Sequence, residues 1–152
     1  MRTLEANDIV AGAEGTVTAI IDNRVRELAE VVNITATVDL NKSDLKVLGK
    51  RMTQHKVTGA SGSGTMNMHY VSSLFGKQIV EYLKTGKVTV FDINIKNQDP
   101  ASDTGKQVTK LSGCIIDGAD LAKLDLDADT LDQEVNFTFT DADYLSEFNE
   151  LN

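Results

Sequence analysis

The chain predicts a mainly β fold, a small sandwich or barrel carrying one α-helix, and three observations lead there. Apolar residues recur with a period of two over residues 32–40 and 135–139. One stretch, about 73–85, switches to the period of a helix. Turn-forming residues separate these segments, and 152 residues suffice for one core, so a single domain is expected over 1–152.

Each element has its own local reason. Residues 16–21 and those from Arg24 onward read as a hairpin across Asp22-Asn23. Val32, Ile34, Ala36, Val38 and Leu40 alternate with Val31, Asn33, Thr35, Thr37 and Asp39, which predicts a long strand with a core face and a wet face. Residues 41–64 lack apolar periodicity and run from a basic stretch into the tract Gly59-Ala60-Ser61-Gly62-Ser63-Gly64, so they read as a long loop, mobile until a partner orders it. Strands are expected at 65–71, 87–96 and 107–116. Between the first two, Ser72 or Ser73 caps a helix with Phe75, Ile79, Tyr82 and Leu83 on one face, and Gly86 ends it in a left-handed conformation. Residues 97–105 are a polar turn, and Val135, Phe137 and Phe139 against Glu134, Asn136, Thr138 and Thr140 form a last strand.

Composition narrows the function classes. The net charge of −8 argues against tight nucleic-acid binding, which needs clustered cations. The charge is uneven: Lys42, Lys46, Lys50, Arg51 and Lys56 stand against Asp44 alone, whereas eleven acids after residue 116 face only Lys123. Complementary patches on one molecule suit head-to-tail association sensitive to ionic strength. The single cysteine, Cys114, sits in an apolar run and is expected to be a buried, inert thiol. The first residues lack an apolar signal region and no run approaches a membrane span, so a cytoplasmic protein without membrane anchor is expected.

No motif for chemistry survives inspection. The Gly/Ser tract lacks the lysine of a phosphate loop and the spacing of a nucleophile elbow. Asp125, Asp127 and Asp129 begin like a calcium loop, but Thr130 stands where glycine is needed and Asn136 where the bidentate glutamate belongs. His55 and His69 have no cysteine or helix-spaced carboxylate beside them. Two glycosylation sequons, at Asn33 and Asn136, fall in predicted strands. Neither catalytic, cofactor-binding nor metal-binding residues are assigned.

Lys50-Arg51-Met52-Thr53, His55-Lys56, Thr58-Gly59-Ala60 and Gly64-Thr65, then Leu124-Asp125-Leu126-Asp127 leading to Glu134-Val135-Asn136-Phe137-Thr138-Phe139, resemble the tail tube family of contractile-tailed prophages and phage-tail-like bacteriocins of Gram-positive bacteria. Ala6-Asn7-Asp8-Ile9 and Gly12-Ala13-Glu14-Gly15 fit the family's opening. The resemblance implies a tail tube fold whose subunits join edge to edge into a hexameric ring with a continuous inner β-barrel. It implies stacked rings driven through a target envelope by sheath contraction, with no enzymatic activity and no cofactor. Implied partners are further copies of the chain, a sheath protein, baseplate and tail-terminator proteins, and DNA as transient cargo if the particle is a phage. The subunit would be assembled in the host cytoplasm and leave in the released particle.

The expectations for residues follow. Lys42, Lys46, Lys50, Arg51, Met52, His55 and Lys56 belong to an inter-subunit loop. Asn33, Thr35, Thr37 and Asp39 line the lumen. Asp117, Asp120, Asp125, Asp127, Asp129 and Asp132 contact the sheath or an adjoining ring. The alternative from another class is a monomeric β-sandwich binding module using 41–64 for recognition; scarce aromatics count against a sugar ligand.

Overall fold

The computed structural model describes residues 15–28, 30–70, 73–98, 105–127 and 131–148. The fold is mainly antiparallel β: β1 (Gly15–Ile21), β2 (Arg24–Glu27), β3 (Val31–Leu45), β4 (Gln54–His69), the helix α1 (Leu74–Thr85), β5 (Phe91–Gln98), β6 (Lys106–Ile116), β7 (Asp132–Phe139) and β8 (Asp141–Ser146). The strand order is β2-β1-β5-β6-β7-β4-β3, with β8 also on β6, and the sheet does not close.

β6 is the corner. Residues up to Cys114 pair with β5, and those up to Ser112 with β8, whereas Ile115 and Ile116 pair with β7. The sheet therefore folds into two leaves, and the core lies where they face one another. Ala19, Phe91, Ile93, Leu111 and Cys114 come from one leaf, Met66, Met68, Val135 and Phe137 from the other. α1 adds Phe75, whose ring lies 5.9 Å from that of Phe91.

Asp22 and Asn23 both have positive φ, 52° and 62°, as a two-residue primed turn between β1 and β2 requires. Gly86 ends α1 in the left-handed region at φ 74° and donates its N–H to the Tyr82 carbonyl. At the other end Ser73 occupies the cap position without a side-chain hydrogen bond, and Ser72 lies outside the described residues. The expected helical face is only half right. Phe75 and Gln78 are buried and Ile79 is half-buried, but Leu83 is exposed and Tyr82 borders an open cleft with Val88 and Ile115.

Two expectations for the long hairpin are corrected. Residues 41–64 are not a loop. β3 continues to Leu45, β4 begins at Gln54, and only 46–53 connect them. Val32 is not a core residue either. The register jumps from Val31 opposite Met68 to Asn33 opposite Asn67, so Val32 is the extra residue of a bulge and is exposed, and Val31 turns inward in its place. The turn expected at 97–105 falls mostly on residues outside those described. β8 was not anticipated.

Candidate functional site

The Gly/Ser tract shows how the β3–β4 arm is built. Along β4, Gly62 and Gly64 point to the same side as Met66, opposite Val38 and Ala36 on β3 and opposite Phe139 and Phe137 on β7. Ser61, Ser63 and Thr65 point to the other side. A Cβ on Gly62 would meet the Phe139 ring at 2.3 Å, and one on Gly64 the Phe137 ring at 2.4 Å. The glycines are the floor on which two phenylalanines lie, and the serines belong to a different surface.

That second surface is polar across three strands. Asn33, Thr35, Thr37 and Asp39 of β3 lie opposite Asn67, Thr65, Ser63 and Ser61 of β4. On the far side of β4, Asn67, Thr65 and Ser63 face Glu134, Asn136 and Thr138 of β7. Side chains join laterally: Asn67 Nδ2 donates to Asn33 Oδ1 at 2.8 Å and Thr65 Oγ1 to Asn136 Oδ1 at 2.8 Å. His69 Nδ1 lies 2.7 Å from Asp132 Oδ1 at the base of the same face. The four residues proposed from sequence thus share one face with their strand partners, a carpet of small hydroxyl and amide groups.

The opposite face of the arm is apolar and largely uncovered. Ile34 reaches the core margin through Met66, but Val38 and Leu40 remain 49% and 56% exposed. Beyond Gly62, β4 pairs among the described residues with β3 alone, so the arm extends past the rest of the described sheet. Among the described residues β3 is an edge strand along its whole length.

The basic residues cluster around the arm's end. Lys42, His55 and Lys56 sit on the strands, and Lys46, Lys50, Arg51 and Met52 occupy the 46–53 turn, all exposed. His55 Nδ1 lies 2.8 Å from Asp44 Oδ1 across the strands. The acids Asp117, Asp120, Asp125, Asp127 and Asp132 are exposed on the β6–β7 connection and the start of β7; Asp129 lies outside the described residues. Lys123 reaches the Asp120 carboxylate at 3.9 Å and donates to the Asp132 carbonyl. Among the described ion pairs, none joins the basic arm to these acids within one chain. Sequence reasoning missed both histidine–carboxylate pairs, since each spans neighbouring strands and the Asp132 pair closes only in the folded sheet.

Two further groups matter. Cys114 is fully buried, its thiol directed at the Leu111 carbonyl, and burial, with Asp92 nearby, pushes its pKa up to about 12. Gln78 is 8% exposed, yet neither its side-chain oxygen nor its nitrogen has a hydrogen-bond partner among the described residues. An unpaired buried amide costs about 1–3 kcal/mol. It lines a cleft of about 190 Å³ with Ile79, Tyr82, Val88, Thr89, Ile115 and Asp117. Among the described residues no cluster of three or more His, Cys, Asp or Glu could hold a metal, and no helix is long and apolar enough to cross a membrane.

The described residues define an open, mainly antiparallel β protein with a helix and a projecting two-faced arm. The chain belongs to the phage tail tube protein family, whose model matches residues 2–146. It is 36% identical over 140 residues to the phage-like element PBSX protein XkdM of Bacillus subtilis, covering 92% of each chain. The same identity and coverage hold for the uncharacterized protein YqbM of that organism. A solved Bacillus subtilis structure is 31% identical, with TM-score 0.53 and coverage of 90% of this chain and 99% of that one. The fold also matches a chain of the extended sheath–tube complex of an extracellular contractile injection system, at TM-score 0.66, 11% identity and coverage of 93% and 94%. A chain in the baseplate of the anti-feeding prophage matches at TM-score 0.67, 14% identity and coverage of 96% and 98%. The family is that of phage tail tube proteins, a structural rather than an enzymatic family, and the neighbours of low identity share its fold.

Proposed function

We propose that the chain is the repeating subunit of a contractile particle's inner tube, in which hexameric rings stack into a hollow tube and sheath contraction drives that tube through a target envelope. The observation that carries this reading is the β3–β4 arm. Its outer edge has no partner strand among the described residues, one face is a polar carpet and the other is apolar and largely uncovered. Such an edge invites pairing, and an exposed apolar face calls for a partner.

Pairing the β3 edge with a neighbouring subunit would continue the carpet into a bore, with Asn33, Thr35, Thr37 and Asp39 facing the lumen. A lining of small neutral groups with an occasional carboxylate offers phosphate no cationic anchor, so DNA would slide without sticking if the particle carries it. The basic arm, including Lys42, Lys46 and Lys50, would meet Asp117, Asp120 or Asp132 of an adjoining ring, with some acids left for the sheath. The subunit performs no bond chemistry. Besides its own copies, its partners are sheath, baseplate and terminator proteins; it is assembled in the host cytoplasm and released in the particle.

Electron microscopy of the concentrated protein tests the reading. Rings or tubes with sixfold symmetry are expected. A clean monomer at high concentration, with or without nucleating baseplate, would favour a monomeric binding module instead.

A further inference from the structure

We propose that a bulge at Thr58 turns Lys56 onto the polar face of the arm, where it makes a weak, sequence-indifferent contact for the phosphate backbone of a nucleic acid in the bore. The inference rests on the tube reading with the carpet towards the lumen.

The register of the arm carries it. Asn41 lies opposite Gly59 and Lys42 opposite Val57, so Thr58 is an extra residue in β4, and its hydroxyl donates to the Asn41 carbonyl at 3.2 Å. β3 runs past the bulge with its alternation intact: Asp39, Asn41 and Ser43 stay on the polar side, Leu40, Lys42 and Asp44 on the other. A Cβ on Gly59 would lie 3.7 Å from Asn41 Nδ2, as expected of two residues on one face. β4, in contrast, changes sides. Gly59, Ser61, Ser63 and Thr65 share the polar face, but past Thr58 it is Lys56, opposite Ser43, that joins them, while Val57 and His55 turn to the apolar side. The 2.8 Å contact between His55 Nδ1 and Asp44 Oδ1 agrees with that assignment. Without the extra residue, unbroken alternation would put Val57 in the carpet and Lys56 on the side of Val38 and Leu40.

Charge therefore changes along the polar face. Lys56 is exposed and makes no ion pair among the described residues. Among those residues Asp39 is the nearest acid on that face; its distance along β3 from Ser43 is about 13 Å at a strand's rise of about 3.3 Å per residue. The screening length at physiological salt is about 8 Å, so this carboxylate does not cancel the ammonium. Asp44 lies on the opposite side, against His55. Lys50 and Arg51 in the turn beyond add to the positive field. The carpet gives phosphate no anchor, and Lys56 adds one point of attraction per subunit, a compact charge without the planar fork that fixes orientation. A phosphate backbone carries charge at every residue whatever its sequence, so a repeated lysine always finds a partner. An acidic peptide would need carboxylates at matching intervals.

The test uses tubes of the full chain and a short fluorescent single-stranded oligonucleotide. Binding at low salt that weakens as salt rises is expected, and Lys56→Gln should lower the affinity about tenfold while Lys56→Arg keeps it. Deleting Thr58 should weaken binding as Lys56→Gln does, although the lysine remains. Lys96→Gln should change nothing, since Lys96 is on the other leaf and points away from the core face of Ile93 and Ile95. In a Cys114→Ala background, Lys56→Cys should react in tubes with a small maleimide and be shielded from a bulky one. Tubes that bind no oligonucleotide, equal losses for Lys56→Gln and Lys96→Gln, or a Lys56→Gln chain that cannot form tubes would overturn the contact and leave the tube reading standing. So would polyglutamate that binds as tightly, which would assign the lysine to an acidic protein, or a bulky reagent that reaches Lys56→Cys but not Thr35→Cys. A wild-type chain that never assembles would bring down both.

Discussion

A Cβ added to Gly64 would press on the Phe137 ring, which is fully buried between the leaves and has no direction in which to yield. Phe139 opposite Gly62 sits at the margin, so its ring has more room. Gly64→Ala is therefore expected to destabilise the subunit by about 1–3 kcal/mol, as overpacking does, and Gly62→Ala by less; urea unfolding of the two variants checks the order. Cys114 makes a prediction about pH. Its ordinary value is 9.0 and burial raises it to about 12, so between those limits the unfolded chain has lost a proton that the folded chain keeps. Stability from this group is complete below pH 9 and is lost as pH rises towards 12, with a slope of up to about 1.4 kcal/mol per pH unit. Unfolding curves of wild type and Cys114→Ala should diverge in slope over that window and run parallel below it.

Elements differed in how openly the sequence displayed them. β7 has uninterrupted alternation, and the Asp22-Asn23 turn and Gly86 stop each need only a local rule. The arm was hidden because glycine and serine weaken ordinary strand preference, and composition outweighed a real period of two: Ala60, Gly62 and Gly64 on one side, Ser61, Ser63 and Thr65 on the other. What makes the glycines fit is a pair of rings from β7, more than seventy residues away in the chain, a tertiary relation that no local window contains. The Val32 bulge was hidden for the opposite reason. The sequence alternates smoothly through it, and only the partner strand reveals the shift. The candidate lumen face was legible because its phase is set beyond the bulge, whereas the Gln78 cleft was not, since its walls come from α1, the approach to β5 and the end of β6. The arm's pairing also sets its dynamics. Among the described residues, 54–60 of β4 pair with β3 alone, but 62–68 pair on both sides. In hydrogen exchange on the free subunit, amides of 54–60 should exchange at least about tenfold faster than those of 63–68, with the difference collapsing on assembly. Equal protection in the free subunit would mean that the arm is held by something other than β3.

For the whole molecule, the decisive question is which way the polar carpet faces once subunits join. The carpet and the apolar face are opposite sides of the same arm, so a surface that covers one leaves the other facing away from it. If edge pairing closes a ring, the apolar side, with Val38 beside Phe139 and Leu40 exposed beyond it, must turn towards protein. The hydroxyl and amide side is then left to the bore. Thr35 lies near the middle of β3 on the polar side, opposite Thr65, and a cysteine there has space on the face without entering the core. In a Cys114→Ala background, Thr35→Cys should react with a small maleimide in assembled tubes and be shielded from a bulky reagent kept outside the bore. The free subunit should react with both. Equal labelling by both reagents along intact tubes would place β3 on the exterior and reverse the assignment of the two faces. Charge gives the companion measurement: Arg51→Glu with Lys56→Glu should weaken assembly most at low ionic strength, where attraction between the basic turn and acidic neighbours acts over the longest range. Unchanged assembly in low salt would exclude the ring contact and leave the acids on residues 117–132 to the sheath.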